Sequence, residues 1–243
     1  MADVARFETA KDIINTVAAE CGLNENSAPF SSNDPAFKQI IRLLTICGRV
    51  LAVMPVWNSA LRVHTFTMTS ATEYLLPDDF LGMVDATLYD VTNRQAAYGS
   101  ATPQVWTVWL NENPSVTFKA LFRLAQRKLV FAPGAIPVGA SVSYEYRSRA
   151  WVQDSASATR FKDKVEGPGD VVLYEPVLIS RMLRYKFLEA RGFATGSALA
   201  EFTTLLDGVR SADKPAEVLD MTGRILGNRF LDSDNIPDSG YGS

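Results

Sequence analysis

The chain has 243 residues, with 24 Lys and Arg against 27 Asp and Glu, so it is large enough to bury a stable interior and carries a net charge of -3. That balance excludes a global basic footprint and disfavours nucleic acid as a tightly held ligand. Two cysteines, Cys21 and Cys47, lie outside any CxxC spacing and no secretory leader precedes them, so two buried thiols made in a reducing cytosol are expected. The most apolar window, residues 40–57, is interrupted by Arg42, Arg49 and Pro55, too broken to cross a bilayer, and a soluble protein without a membrane partner is expected.

Residues 9–21 predict a first helix, with Ile13, Ile14, Val17 and Ala18 on one stripe and Gly22 as its stop. After a polar loop over 24–33, Asp34 as N-cap and Pro35 at the first position start a second helix, bearing Phe37, Ile40, Ile41, Leu44, Cys47 and Leu51 and closed by Pro55. From Trp57 the pattern shortens to β-branched and aromatic runs broken by Pro, Gly and Asn, as in strands with tight connections. The clearest strand is 141–151, where Val142, Tyr144 and Tyr146 alternate with Ser143, Glu145 and Arg147. A strand over 124–131 is its expected hairpin partner through the turn-rich link 132–140, and strands near 63–68, 83–89 and 105–110 complete a small antiparallel sheet or barrel.

Residues 153–174 hold few large apolar side chains and read as a flexible loop ending in Gly167-Pro168-Gly169. A helical hairpin follows. Its first helix starts at Pro176 and ends at Gly192 with two apolar stripes, Ile179, Leu183, Phe187 and Ala190 on one and Leu178, Met182, Tyr185 and Leu188 on the other. Such a helix is either a central core helix or one that shares its second stripe with a neighbouring subunit. The second helix spans about 197–206, with Leu199, Phe202 and Leu206 on one face and Gly208 past its end. The polar remainder carries isolated anchors at Val218, Leu219, Ile225, Leu226, Phe230, Leu231 and Ile236, the pattern of a tail that orders on a partner.

Catalytic motifs are scarce. His64 has no second His and no carboxylate pair beside it in sequence, so it reads as a structural histidine rather than a metal ligand or triad member. No phosphate-cradling, dinucleotide, zinc-protease or nucleophile-elbow motif is present, and no cofactor or metal is expected. Paired carboxylates need no local motif, which leaves Glu73, Asp78, Asp79 and Glu145 as candidates by residue type, although Asp78 and Asp79 after Pro77 fit better as caps of a helical turn. Basic groups at Arg123, Arg127 and Lys128, at Arg147 and Arg149, and at Arg160, Lys162 and Lys164 are solvated faces or contacts for an acidic partner.

The order of parts resembles head-to-tail adaptor proteins of tailed bacteriophages, short-tailed ones in particular. The resemblance rests on the two N-terminal helices, Tyr74-Leu75-Leu76-Pro77-Asp78-Asp79-Phe80, Tyr144-Glu145-Tyr146-Arg147, the Pro176-started helix with Arg184-Tyr185-Lys186, and the helix and extended tail after it. It implies an α+β fold: N-terminal helices (1–56) and a C-terminal hairpin (175–208) forming a helical bundle, an inserted β-rich domain (57–152), the loop 153–174 and a docking tail (209–243). It further implies a virion protein of the head-tail junction, made in the host cytoplasm, with twelve copies in a ring that extends the DNA channel. The tail would meet the portal, the ring would meet the tail nozzle, DNA would pass without specific binding, and Leu178, Met182, Tyr185 and Leu188 would line the subunit contact. Another neck or tail-completion component, or a carboxylate hydrolase of cell-wall glycans, are the rival readings.

Overall fold

The structure is a computed structural model that describes residues 7–54, 57–112 and 120–213. The anchors Val218, Leu219, Ile225, Leu226, Phe230, Leu231 and Ile236 lie outside the described residues. Two hydrophobic clusters organise what is described, one among helices and one inside a curled β-sheet.

The helical part opens with α1 (Ala10–Glu20), where Thr9 Oγ1 accepts from the Asp12 amide at 3.3 Å. Its next free amides are met from far along the chain: Ala10 N donates to Asp170 O at 2.8 Å and Lys11 N to Pro168 O at 3.1 Å. Helix α2 (Pro35–Val53) begins as its sequence predicts, the Asp34 carboxylate accepting from Ala36 N at 2.8 Å with Pro35 in the first turn. Helix α4 (Pro176–Ala190) packs against α1 and α2 more extensively than they pack on each other. Helix α5 (Gly196–Asp213) packs on α4, through Ala198 and Phe202, with Leu205, Leu206 and Val209 partly covered. It runs past Gly208, where a stop was expected, because one internal Gly costs a helix only ~1 kcal/mol and Val209 beyond it finds the core.

Eight strands make the curled sheet, in the order β1 (Leu61–Thr67), β8 (Ser141–Ser148), β4 (Tyr89–Asp90), β5 (Gln95–Tyr98), β6 (Ala120–Ala125), β7 (Lys128–Phe131), β2 (Glu73–Leu75), with β3 (Phe80–Met83) also paired to β8. The expected alternation on β8 holds: Val142, Tyr144 and Tyr146 are buried and Glu145 is exposed. The sheet curls enough to bring its end strands together, Phe66 on β1 lying 4.7 Å from Tyr74 on β2 between ring centroids.

Four strand expectations are corrected, the first being 83–89, which is the turn-containing link between β3 and β4 rather than a strand. Residues 124–131 are a hairpin, β6 and β7, joined by Gln126 and Arg127 at φ 49° and 59°, and β7 pairs with β6 and β2 rather than with β8. Such a two-residue link usually announces itself by Gly or Asn, and neither is there. Residues 105–110 are helical, within α3 (Pro103–Glu112). Thr102 accepts from the Trp106 amide through its carbonyl at 2.9 Å and Pro103 fits the first turn, which outweighs the strand-like alternation that follows. The sheet is also not wholly antiparallel. Strands β5 and β6 run parallel, and α3 lies on the crossover that a parallel pair requires.

The stretch expected to be a flexible loop is an ordered, charge-centred unit. Strands β9 (Val152–Gln153), β10 (Phe161–Lys162) and β11 (Val171–Val172) pair in the order β10-β9-β11 around Asp170, which is 1% exposed. The Asp170 carboxylate accepts from Glu166 N at 2.8 Å, Gly167 N at 2.9 Å and Ser155 N at 3.3 Å, and both oxygens from Lys162 Nζ at 3.0 Å. Burial alone would raise this carboxyl; the Glu166 and Gly167 amides and Lys162 outweigh it and hold it below the ordinary value. An aromatic joint fastens this unit to the helices. Tyr174 stacks on Trp151 at 5.8 Å, meets the edge of Trp57 at 5.6 Å, and donates to Gly48 O on α2 at 3.1 Å.

Candidate assembly surfaces

The expected stripe on α4 is the first to test against its surroundings. Leu178 and Met182 lie at 0% and 3% exposure inside the helical cluster, and Tyr185 and Leu188 are half-buried. On the other stripe Ile179, Leu183 and Phe187 are equally buried, whereas Ala190 is exposed. The buried members of both stripes are covered within the chain because α4 has three helical neighbours, α1, α2 and α5. Leu178 and Met182 therefore offer no surface to another subunit, and a charge at Met182 would act on the fold.

Exposed apolar surface lies elsewhere. On α2 the core-facing residues Leu44, Cys47 and Leu51 are matched on the outer side by Ile46, Val50, Val53 and Met54, with Val53 67% and Ile46 50% exposed. These four line one shallow apolar depression with Arg49, whose guanidinium is held by Asp163 at 3.3 Å. A residue this apolar on the wet face of a long helix costs solubility unless something covers it. The sequence does carry the signal: Leu43, Ile46, Val50 and Val53 recur at intervals of 3, 4 and 3 residues, a second helical stripe beside the core one.

A second depression lies between α4 and α5, lined by Val177, Arg181, Ala200, Glu201, Thr204 and Leu205. Two of its lining residues, Arg181 and Glu201, belong to an ion network. Arg181 reaches Glu20 at 2.8 Å and Glu201 at 2.9 Å, and Arg184 reaches the same two carboxylates at 3.6 Å, so two guanidinium groups tie the end of α1 to α5 across α4. Those pairs are partly exposed and individually worth ~1 kcal/mol or less, but together they fix the orientation of α5.

The sequence-predicted chemical candidates have structural tasks. Glu73 pairs with Lys128 at 2.6 Å across neighbouring strands. Asp79 accepts from Tyr146 Oη at 3.0 Å and from Ser148 Oγ at 2.5 Å, fixing the turn before β3 to β8. Asp78 is exposed in that turn, which is not helical, so the expected cap of a helical turn is replaced by a bond from Phe80 N to Pro77 O at 3.0 Å. Glu145 is exposed on the outer face of β8. His64, half-buried, packs on Phe66 at 5.8 Å and Tyr144 at 5.4 Å, and burial lowers its pKa despite the nearby Asp79. Burial also pushes the Cys47 thiol up to about 12, which makes it an inert core group. Among the described residues no group of three or more His, Cys, Asp or Glu is placed to hold a metal ion, and no helix is long and apolar enough to cross a membrane.

A family model described as SU10 adaptor protein matches residues 8–222, a span that takes in both hydrophobic clusters. No curated protein matches the chain.

Proposed function

Because the chain belongs to the SU10 adaptor family and is thus a bacteriophage adaptor protein, we propose that it is a structural virion protein that forms a ring at the head-tail junction, joining the portal to the tail and extending the DNA channel. The match over residues 8–222 carries this reading. The exposed apolar residues Ile46, Val50, Val53 and Met54 agree with it, since a ring subunit needs surface that its neighbours can cover. So does the net charge of -3, because DNA must pass a channel wall without adhering to it.

In this reading twelve copies make the ring, the tail nozzle docks beneath it, and the segment beyond Asp213 reaches the portal through Val218, Leu219, Ile225, Leu226, Phe230, Leu231 and Ile236. Tyr185 and Leu188 contribute at most the edge of a subunit contact. No active site and no cofactor are assigned. The test is to remove residues 214–243 and measure binding to purified portal. Loss of binding with an unchanged melting temperature is the expected result; unchanged binding overturns the docking role.

A further inference from the structure

We propose that the outer face of α2 docks an acidic helix with an apolar stripe, carried by a different protein, so that the neighbour covering Ile46, Val50, Val53 and Met54 is not a second copy of this chain. This goes beyond the ring reading above, which leaves the chemistry of that neighbour open.

The face is one continuous strip. Two shallow depressions lie end to end along α2, the first lined by Lys38, Gln39, Arg42 and Leu43 among others, the second by Ile46, Val50, Val53 and Met54 with Arg49. At about 100° per residue, Lys38, Arg42 and Arg49 fall within about 40° of one another around the helix, and Val53, Ile46, Val50 and Leu43 follow within about the next 100°. The core residues Phe37, Ile40, Leu44, Cys47 and Leu51 are buried on the other side and hold the helix in place. A fixed strip about 25 Å long, with an apolar centre and one basic edge, suits the apolar face of a second helix laid along it.

Charge selects which helix. Helix α2 contains no acid. Arg49 is held by Asp163 at 3.3 Å, but Lys38 and Arg42 are exposed, and among the described residues no carboxylate pairs with either. A second copy of the same face would bring these two bases no counter-charge. Glutamates or aspartates flanking an apolar stripe would pair with both at the rim of the contact while the apolar residues close its centre.

The experiment uses the full chain and two synthetic amphipathic peptides as probes, each about 18 residues long to match the strip, with leucines at helical spacing and either glutamates or lysines at the other positions. Fluorescence anisotropy is expected to show the glutamate peptide binding about tenfold tighter than the lysine peptide. The net charge of -3 would by itself favour the lysine peptide, so this preference reports the local basic edge. Lys38→Glu with Arg42→Glu should reverse the preference, and Val50→Ser with Val53→Ser should weaken both peptides, each at the melting temperature of the parent chain because all four side chains are exposed. Equal or tighter binding of the lysine peptide to the parent, or binding that the two serine substitutions leave unchanged, overturns the docking strip and leaves the ring reading standing. Self-association in sedimentation velocity that the serine substitutions abolish would assign the face to a second copy and overturn it as well.

Discussion

Replacing Gly48 by Ala should destabilise the protein, although the same exchange in an open helix stabilises. A Cβ built on Gly48 would lie only 2.1 to 2.4 Å from Cζ2, Cε2 and Cη2 of the Trp151 indole. That indole cannot step aside cheaply: it is 2% exposed, stacked on Tyr174 at 5.8 Å with an interplanar angle of 17°, and its Nε1 donates to Asp163 O at 3.0 Å. The helix preference of Ala over Gly contributes about 1 kcal/mol in favour. Overpacking a rigid core costs ~1–3 kcal/mol, here toward the upper end because a fused ring is the obstacle, and disturbing the Tyr174 bond to Gly48 O adds ~1 kcal/mol. The net is a loss of about 2–3 kcal/mol. At roughly 2–4 °C per kcal/mol for a chain of this size, the melting temperature should fall by about 4–12 °C. Thermal unfolding followed by near-ultraviolet circular dichroism measures this, with a change in the aromatic bands of the folded state. An unchanged or raised melting temperature would mean that α2 and Trp151 are not in contact, and the joint between helices and β-sheet would have to be redrawn.

Two further substitutions test other parts of the account by thermal or urea unfolding. Gly208→Ala meets nothing within 4 Å and lies inside α5, so it should stabilise by ~0.5–1 kcal/mol, the opposite sign to Gly48→Ala. Asp170→Asn should cost about 2–4 kcal/mol at neutral pH, since it leaves Lys162 and three amides short of their acceptor. The folded Asp170 carboxyl sits below its ordinary value of 3.8, so its stabilisation is present above that pH and is lost as pH falls through the lower folded value. The gap between parent and Asp170→Asn should accordingly be constant from pH 7 to 5 and narrow only in stronger acid.

What the sequence revealed, and what it concealed, follows from how local each signal is. Asp34-Pro35, Glu175-Pro176 and Gly192, the last at φ 74°, are helix boundaries written in a few adjacent residues, and the structure places them as read. The alternation of Val142, Tyr144 and Tyr146 is equally local. Strand pairing is not: β8 is shared by β1, β3 and β4, and its nearest predecessor β7 turns instead to β6 and β2, a choice made by the curl of the whole sheet. The role of 153–174 was hidden because its core is a charge. Asp170 and Lys162 look like surface residues in sequence, and only folding gathers the amides that hold them. The two stripes of α4 mark a helix packed on more than one side. Counting stripes gives the number of packed faces, however, and not whether the covering helix belongs to the same chain. Here α1, α2 and α5 cover it, and the exposed apolar face of α2 stands beside a more regular core stripe.

The central claim, that this adaptor works as a ring on the portal, is tested most directly by negative-stain images of the full chain mixed with purified portal. The account predicts closed rings coaxial with the portal, with a central opening wide enough for a DNA duplex to pass. Single subunits scattered on the portal without lateral contact, or bare portals beside free monomers, would contradict it.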